Sequence, residues 1–372
     1  MNKSIRENIR CSGCGVCAAV CPKHAITFSI DSKGFSRPVV NESCIDCGLC
    51  IKKCHEHLPK NQNKPIAVYN CASKRSDVLR LSSSGGVFSE LAALIIQNGG
   101  YVCGAALIDA SMGIVEHRII STLDEIELLR RSKYVESSLA SVLHRCRKIV
   151  NSGQTLLFVG TPCQCSAIAN YIGNSDNLIL VDFICHGIAS PEVLRWYLKE
   201  QEKKIGTIKE LNFRDKRNQS SSYFTIKGEN GDICIENYTN GYPFMFSSSL
   251  IMADDCITCK YTTLARCSDI TLADKCDGTG MDFDKSTVLA NTVKGNQLLS
   301  ALDIDKTQID INTVVAHAWH LTKVSTLNPL RESFFKEYKN LPYDMVYKKY
   351  MILHTPSILQ RVLNKLKNIF NK

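Results

Sequence analysis

The sequence lacks an apolar run long enough to cross a membrane. Its longest apolar stretches, residues 87–97 and 177–184 of the 372, are far shorter than the roughly 20 residues that a membrane-spanning helix needs. Residues 1–10 carry four charged side chains and no apolar segment, so they do not resemble a secretory signal. We therefore expect a protein that stays in the cytoplasm, where cysteines are kept reduced.

The composition also lacks the features of a disordered or fibrous chain. Hydrophobic residues make up 44% and charged residues 22% of the sequence, which are values typical of a globular protein. The length allows two or three domains. Cysteine is unusually abundant, with 19 residues. Because disulfides are rare in a reducing compartment, so many cysteines indicate metal binding or catalysis.

Eight of these cysteines form two copies of one motif near the N-terminus. Each copy has the spacing C-x2-C-x2-C-x3-C, which is typical of two-cluster iron–sulfur ferredoxins. In such proteins the fourth cysteine of each motif binds the other cluster. The predicted ligands of one 4Fe-4S cluster are therefore Cys11, Cys14, Cys17 and Cys54, and those of a second are Cys44, Cys47, Cys50 and Cys21.

Residues 8–58 as a whole resemble a bacterial two-cluster ferredoxin, with short strands expected at 25–28 and 34–40. A structural zinc ribbon is the alternative, but zinc sites pair two C-x2-C hooks and lack this longer repeat. One departure is that the second motif ends in Cys54-His55, whereas the ferredoxin motif ends in Cys-Pro. This change removes a turn constraint but no ligand.

A second domain begins near Ile66, after a polar segment with two prolines. Its residues 154–159 and 177–184 are predicted buried strands, each followed by a loop with a cysteine, Cys163 or Cys185, and then by a helix. Such units build a parallel sheet, and ligands bind beyond the carboxyl ends of its strands. We therefore expect the two cysteines to converge there.

A serine–glycine loop at residues 82–86 precedes a predicted helix over 87–97. A loop of this kind at a helix start can bind a phosphate through its free N–H groups. An ordinary helix cap with a flexible turn is the alternative, and the loop alone favours that alternative.

Residues 66–320 resemble the family of coenzyme F420 hydrogenase and dehydrogenase beta subunits, in the bacterial variant that carries an N-terminal two-cluster ferredoxin. The matching motifs are SSSGG at 82–86, RSKYVES at 131–137, GTPCQ at 160–164, DFICHG at 182–187, DDCITCKY at 254–261 and SDITLAD at 268–274. Members of this family are iron–sulfur flavoproteins that bind FAD. The resemblance therefore implies a flavin site, which the composition alone does not indicate.

The resemblance also implies which residues line that flavin site. They are Ser84, Gly85, Gly86, Ser132, Lys133, Tyr134, Gly160 and Thr161. A fixed ammonium at Lys133 would stabilise the negative charge of a phosphate or of reduced flavin. A solvated helix end is the alternative interpretation of this lysine.

The same resemblance implies a third 4Fe-4S cluster beside the flavin. Its ligands would be Cys163, Cys185, Cys256 and Cys259; the rival set, local in sequence, is Cys256, Cys259, Cys267 and Cys276. The family pattern is broken at residues 273–276, where this chain has Ala-Asp-Lys-Cys, which puts the substrate-side contacts in doubt. Five cysteines without a spacing partner are predicted to be small buried residues: Cys71, Cys103, Cys146, Cys165 and Cys234.

Two side chains are candidates for catalysis. His186 follows Cys185 in a loop that faces the expected crevice, so it could donate a proton or contact the flavin, and Lys133 is the second candidate. A structural role for His186 is the alternative. His317 and His320 are predicted to be structural.

Residues 221–238 are predicted to form a hairpin on the sheet edge.

Residues 358–372 are predicted to form a basic amphipathic helix. This helix could dock on an anionic membrane surface or an acidic redox partner, or it could cover its own fold. The net charge of +9 does not indicate nucleic acid, because no basic stripe is interleaved with aromatic residues. Three four-iron clusters would also reduce that charge to about +3.

The expected fold is an α+β ferredoxin-like two-cluster domain followed by an α/β domain with a mostly parallel or mixed sheet. We place the ferredoxin domain at residues 1–58, a linker at 59–66, the flavin and iron–sulfur oxidoreductase domain at 67–335 and a helical tail at 336–372.

Electron counting suggests a function. Clusters move single electrons, whereas most metabolite reductions need two, and a flavin converts between them. We predict an FAD-dependent oxidoreductase that passes electrons from a redox partner protein or reduced coenzyme through its clusters to FAD, and then to an unidentified substrate or coenzyme. The reverse direction, from reduced coenzyme F420 to a partner, is a second hypothesis, and a relay subunit with no substrate site is a third.

Overall fold

The computed structural model describes residues 11–58, 63–216 and 221–351. The N-terminal residues 1–10, part of the expected linker and the helix predicted at 358–372 lie outside these ranges. Within the described ranges, no helix combines the length and the apolar character that a bilayer span requires.

Thirteen strands and thirteen α-helices are found in the described residues. The strands are β1 (Ile26–Ile30), β2 (Ser36–Val40), β3 (Ala67–Ser73), β4 (Tyr101–Asp109), β5 (Ile114–Ile120), β6 (Leu156–Val159), β7 (Leu178–Phe183), β8 (Ile208–Lys216), β9 (Ser222–Gly228), β10 (Asp232–Glu236), β11 (Ile270–Asp274), β12 (Ser286–Ala290) and β13 (Ile304–Gln308). The helices are α1 (Val16–Ala19), α2 (Leu49–Lys52), α3 (Ser76–Leu81), α4 (Val87–Gln97), α5 (Ile126–Leu129), α6 (Leu143–Asn151), α7 (Pro162–Ile172), α8 (Pro191–Ile205), α9 (Gly241–Ser247), α10 (Val293–Ser300), α11 (Ile311–His317), α12 (Arg331–Glu337) and α13 (Tyr343–Tyr350). Short 3-10 helices occur at Asp254–Thr258 and Trp319–Leu321.

The N-terminal region, residues 11–58, consists of the β1–β2 hairpin and the one-turn helices α1 and α2. The hairpin is antiparallel, with Ile26 opposite Val40, and it agrees within two residues with the two short strands expected there. Both helices start directly after a glycine with a left-handed backbone, Gly15 and Gly48. A residue without Cβ adopts this conformation at little cost, so the chain can turn sharply beside a cysteine at each point.

The main sheet has eight strands in the order β13-β3-β12-β11-β7-β6-β4-β5. The pairs β4–β6, β6–β7 and β7–β11 are parallel, whereas the remaining four pairs are antiparallel. The sheet is therefore mixed. Its parallel part contains β6 and β7, the two strands for which strand–loop–helix units are predicted.

The predicted hairpin at 221–238 forms as β9 and β10, but its expected place on the edge of the main sheet is wrong. Strand β9 pairs with β8 in a separate three-stranded sheet with the order β10-β9-β8. The physical reason is that the nine-residue strand β8 supplies a nearer partner, directly after α8. This small sheet packs with α8, α9, α12 and α13 in its own hydrophobic core.

Helices cover both faces of the main sheet. Helix α4 buries Val87, Leu91 and Ile95 on one face, and α6 and α7 pack on the other. Val16 of the N-terminal region is 1% exposed and belongs to the same core as α6 and α7. The N-terminal region is thus packed directly against the α/β domain.

Candidate metal centre and adjoining loops

The first thiol group consists of Cys11, Cys14, Cys17 and Cys54. Burial raises the pKa of Cys11 to about 11 and that of Cys17 to about 12, and the charge of Cys54 contributes to both increases. Cys54 therefore lies beside the three cysteines of the first motif, where a shared cluster would need it. The backbone N–H of Gly13 donates to the Sγ of Cys11 at 3.4 Å, a contact that stabilises a ligating thiolate.

The second thiol group consists of Cys21, Cys44, Cys47 and Cys50. All four line one cavity, together with apolar side chains that include Ile26 and Leu49. The N–H of Ala25 donates to the Sγ of Cys21 at 3.3 Å. The second thiol group lies near the surface, because Cys47 is exposed and the other three cysteines are partly exposed.

The third thiol group consists of Cys163, Cys185, Cys256 and Cys259. Cys163 lies in the first turn of α7, Cys185 follows β7, and Cys256 lies in the short helix Asp254–Thr258. Burial raises the pKa of Cys163, and the charges of Cys259 and Cys256 raise it further. The pKa of Cys185 is raised by burial and then by Cys163 and Cys259. Four cysteines from three separate segments thus meet at one place.

The rival ligand set is not brought together in this way. Burial and the charge of Asp182 raise the pKa of Cys267 to about 12. Burial, together with the charges of Asp274 and Asp277, raises the pKa of Cys276. In the ranges that the structure covers, no three His, Cys, Asp or Glu side chains converge on a position for a single metal ion. A 4Fe-4S cluster needs a wider arrangement of ligands than a single metal ion, since each of its four iron atoms takes one thiolate.

The three thiol groups lie next to one another in series. The charge of Cys50 in the second group contributes to the raised pKa of Cys17 in the first, after burial and nearer thiols. The charge of Cys14 in the first group likewise contributes to the raised pKa of Cys163 in the third. The order of the three groups is therefore second, first, third.

The loops predicted to line the flavin site also meet. The N–H of Ser132 donates to the Oγ of Ser83 at 3.0 Å, which joins the 131–137 segment to the serine–glycine loop. The side-chain amide of Gln164 donates to the carbonyl oxygen of Ser137 at 3.1 Å, which joins the same segment to the loop after β6. Ser84, Gly85, Gly86, Ser132, Lys133, Tyr134, Gly160 and Thr161 are all located on these three loops.

Each loop is shaped mainly by contacts within the protein. A Cβ at Gly85 would lie 2.4 Å from the carbonyl oxygen of Cys71, and the N–H of Gly85 donates to Ser286 Oγ at 2.9 Å. A Cβ at Gly160 would lie 2.9 Å from Oε1 of Gln164. Thr161 caps α7 through a reciprocal pair of hydrogen bonds with Gln164. Helix α4, by contrast, has no side-chain hydrogen bond at its N-cap, Gly86, so its first N–H groups are available to a ligand.

Lys133 is an inward-facing cation at the end of α5. Its Nζ donates to the carbonyl oxygens of Arg130 and Leu128, which are unpaired groups at a helix C-terminus. Burial, followed by the charge of Arg131, lowers the pKa of Lys133 to about 7. Tyr134 stacks on Phe246 with ring centroids 4.7 Å apart and contacts the hydroxyl of Tyr238 at 2.9 Å.

His186 has a partner that the sequence pattern does not indicate. Its Nδ1 lies 3.1 Å from Nε2 of His320, and its Nε2 donates to the carbonyl oxygen of Phe246 at 3.2 Å. His320 reaches His186 because the segment after α11 returns to the loop that follows β7. Nδ1 of His317 donates to the carbonyl oxygen of Thr313 at 2.8 Å.

Two buried cations on β8 were not predicted from the sequence to belong to the site. Nη1 of Arg214 lies 2.8 Å from the carboxylate of Asp274, and Nζ of Lys216 lies 2.7 Å from Asp284 and 3.2 Å from the carbonyl oxygen of Ser84. The Nε of Arg214 is buried, and none of the residues that the structure describes accepts a hydrogen bond from it. Arg214 and Lys216 are two residues apart and so share one strand face. This spacing is the sequence signal from which the pair could have been predicted.

Four of the five isolated cysteines are buried as predicted: Cys71, Cys103, Cys146 and Cys165. The prediction for Cys234 is wrong, because this residue is exposed. Its strand, β10, forms the edge of the small sheet, and alternate side chains of that strand point to solvent.

The paired ferredoxin-type motifs, joined to an α/β domain with a large mixed sheet, define an iron–sulfur protein of the electron-transfer class. Residues 10–57 match the 4Fe-4S dicluster domain, and residues 153–316 match the family described as the C terminus of the Coenzyme F420 hydrogenase/dehydrogenase beta subunit. The chain therefore carries an N-terminal 4Fe-4S dicluster domain, and its residues 153–316 are similar to the C-terminal part of these beta subunits. The family predicted from the motifs is confirmed.

Two curated relatives are similar to the chain. The F subunit of the F(420)H(2) dehydrogenase of Methanosarcina mazei is 22% identical over 236 residues, which are 60% of this chain and 65% of that protein. An uncharacterized protein of Methanocaldococcus jannaschii is 24% identical over 213 residues, 49% of this chain and 59% of that protein. The chain thus spans less than two thirds of either relative.

Among solved structures, a chain of the F420-reducing NiFe hydrogenase complex from Methanosarcina barkeri, studied by xenon derivatization, aligns with a TM-score of 0.49 and 15% identity. The alignment covers 70% of this chain and 89% of that chain.

Proposed function

We propose that this protein is an iron–sulfur flavoprotein oxidoreductase with three 4Fe-4S clusters and one FAD. The observation that carries the proposal is the series of three thiol groups, which leads from the exposed Cys47 to the partly buried Cys163 beside the predicted flavin loops. When bound, the clusters would supply single-electron transfer and FAD would supply the conversion to two electrons. An external redox protein would deliver electrons at the second thiol group.

The thiol groups would act as ligand sets. The first group is held by tight glycine turns, and the third is held by β7, the start of α7 and the helix Asp254–Thr258. Burial raises the pKa of free Cys163 and Cys185. Loading of the third site would therefore release protons, because only thiolates bind iron.

The flavin loops have the chemistry that the phosphates of FAD require. The uncapped N-terminus of α4 offers N–H groups and the positive end of a helix dipole. Lys216 contacts the loop before α4 at Ser84. Arg214 lies on the same strand, with an Nε–H for which the described residues provide no acceptor. We propose that these groups, with Ser84, Gly86 and Ser132, hold the pyrophosphate.

Lys133 and His186 remain the proposed catalytic residues. A lysine whose pKa is lowered to about 7 can hold or release a proton near neutral pH. His186 is oriented by the carbonyl of Phe246 and by His320, so its ring position is defined. The name of the Methanosarcina mazei relative suggests reduced coenzyme F420 as one two-electron partner. Electrons would then also pass in the opposite direction, from FAD to the clusters.

A relay subunit without its own flavin is the second candidate. It is favoured by the packing of Gly85, where a Cβ would lie 2.4 Å from the carbonyl oxygen of Cys71 and 2.7 Å from the nitrogen of Ser286. The glycine in this motif is thus required by the fold whether or not FAD binds. Flavin content after anaerobic reconstitution separates the two candidates.

The third ligand set is tested by iron content. We expect Cys163→Ser and Cys185→Ser each to lose about one third of the iron and acid-labile sulfide. Cys165→Ser is the matched control, since Cys165 is a buried cysteine on the same helix, and Cys267→Ser tests the rival set. Unchanged iron in both Cys163→Ser and Cys185→Ser, with loss in Cys267→Ser, would contradict the assignment.

A further inference from the structure

His55 stands where the ferredoxin motif has proline, and the structure gives this departure a role. Its ring is 1% exposed. Nε2 lies 2.8 Å from the Oγ of Ser12, and Nδ1 lies 2.6 Å from the hydroxyl of Tyr261. The hydroxyl of Tyr261 also donates to the carbonyl oxygen of His55, at 3.3 Å. The imidazole therefore joins two segments that are far apart in the sequence.

The two segments are those that hold the first and third thiol groups. Ser12 lies between Cys11 and Cys14 in the loop of the first group. Tyr261 follows Cys259 of the third group by two residues, and it is near enough to Cys163 for that thiol's charge to act on it. His55 is itself adjacent to Cys54 in the first group. The chain Ser12–His55–Tyr261 thus spans the space between the two groups.

Other contacts hold the same interface at its rim. Arg37 bonds to Glu136 at 3.1 Å and to Asp255 at 3.3 Å, and Nζ of Lys53 donates to the carbonyl oxygen of Asn170 at 2.9 Å. These contacts attach the N-terminal region to the α/β domain through partly exposed side chains. The N–H of Cys11 also donates to Oδ1 of Asp255 at 3.0 Å, which joins the two ligand loops through the backbone. The contact through His55 differs from these in that its side chain is buried between the loops.

We propose that His55 is a positioning residue that sets the distance and orientation between the first and third cluster sites. This inference rests on the proposed function, because it concerns electron transfer between two loaded sites. A rigid hydrogen-bonded bridge keeps that separation constant as the protein fluctuates. Its loss changes the spacing without removing a ligand.

The test uses full-length protein, purified anaerobically, loaded with iron and sulfide and reduced with dithionite. Neighbouring reduced clusters interact magnetically, and the interaction is seen as splitting and broadening of their electron paramagnetic resonance signals. We expect His55→Pro, which restores the ferredoxin-type residue, to lose the splitting between the first and third clusters at unchanged iron content, whereas the splitting between the first and second clusters stays. Tyr261→Phe keeps the ring but loses the hydroxyl, so it should weaken the splitting without loss of folding.

Two conservative variants test the two hydrogen bonds of His55 separately. The amide of His55→Gln occupies the place of Nε2 and can keep the bond to Ser12, whereas that of His55→Asn occupies the place of Nδ1 and can keep the bond to Tyr261. We expect each to restore part of the splitting lost in His55→Pro. His57→Asn is the matched control, since His57 is exposed and two residues away, and it should match the wild type.

The outcomes separate this inference from the proposed function. Full iron content with wild-type splitting in both His55→Pro and Tyr261→Phe would overturn the positioning role and leave the proposed function intact. Wild-type protein with iron for the N-terminal clusters alone would overturn the third cluster, and with it both proposals.

Discussion

Gly85 belongs to a family motif, but packing within the fold alone requires a glycine at this position. A Cβ at this position would lie 2.4 Å from the carbonyl oxygen of Cys71 and 2.7 Å from the nitrogen of Ser286. Both atoms belong to the backbones of paired strands, which cannot move aside cheaply. The glycine therefore allows the loop before α4 to lie against the sheet.

We expect Gly85→Ala to lower the free energy of unfolding by about 1–3 kcal/mol, as overpacking does elsewhere. Gly104→Ala is the matched control, because its Cβ would make an ordinary contact with Leu129 at 3.4 Å. That substitution should change stability by about 0.5 kcal/mol or less. Urea midpoints measured anaerobically compare the two, and equal midpoints would contradict the packing argument.

At the residue scale, the strand pattern predicts that Cys163 and Cys185 approach one another, but it does not predict which residues contact His55 or His186. The motif placed Cys163 and Cys185 together because both follow strands of one parallel sheet. The contact of His55 with Tyr261 and that of His186 with His320 join residues more than 130 positions apart. No local pattern encodes such a pair, so these partners become visible only in the folded chain.

Elements with strong local signals were predictable. The helix expected over 87–97 has those bounds in the structure, since Gly86 and the Asn-Gly-Gly sequence mark its ends. Helix α7 starts at Pro162 and so includes Cys163, which was expected in the loop before it, because Thr161 and Pro162 form a cap and first turn. The antiparallel strands β3 and β12 pair across more than 200 residues, which local pattern cannot specify. The domain boundaries remain a prediction.

The cap of α7 gives a prediction at this scale. Thr161→Val keeps the shape of the side chain but removes the hydroxyl that accepts from the N–H of Gln164. We expect a loss of about 1 kcal/mol in the free energy of unfolding. Thr161→Ser keeps the hydroxyl and should retain most of the stability. If urea unfolding shows equal losses in both variants, the cap is not the cause.

Burial of neutral histidines makes the stability of the whole molecule depend on pH. His117 is fully buried, its Nε2 donates to the carbonyl oxygen of Val159 at 3.2 Å, and its Nδ1 accepts from Ser137 at 2.8 Å. Burial lowers its pKa from 6.5 to about 4. The unfolded chain therefore binds a proton first as the pH falls, and this histidine's contribution to stability is lost between about pH 6.5 and 4.

We expect the free energy of unfolding to fall by about 2 kcal/mol between about pH 7.5 and 5 through His117 alone. His117→Gln can keep the bond to Val159 but does not titrate. Its stability should therefore fall less steeply over this range than that of the wild type. Parallel pH dependences in anaerobic urea unfolding would show that His117 is not responsible.

The most direct measurement on the whole molecule is the joint quantification of iron, acid-labile sulfide and flavin in anaerobically purified protein. Three cubane sites and one flavin site predict about twelve iron, about twelve sulfide and about one FAD per chain. A colourless preparation that contains zinc in place of iron, and releases no flavin when it is denatured, would contradict the account.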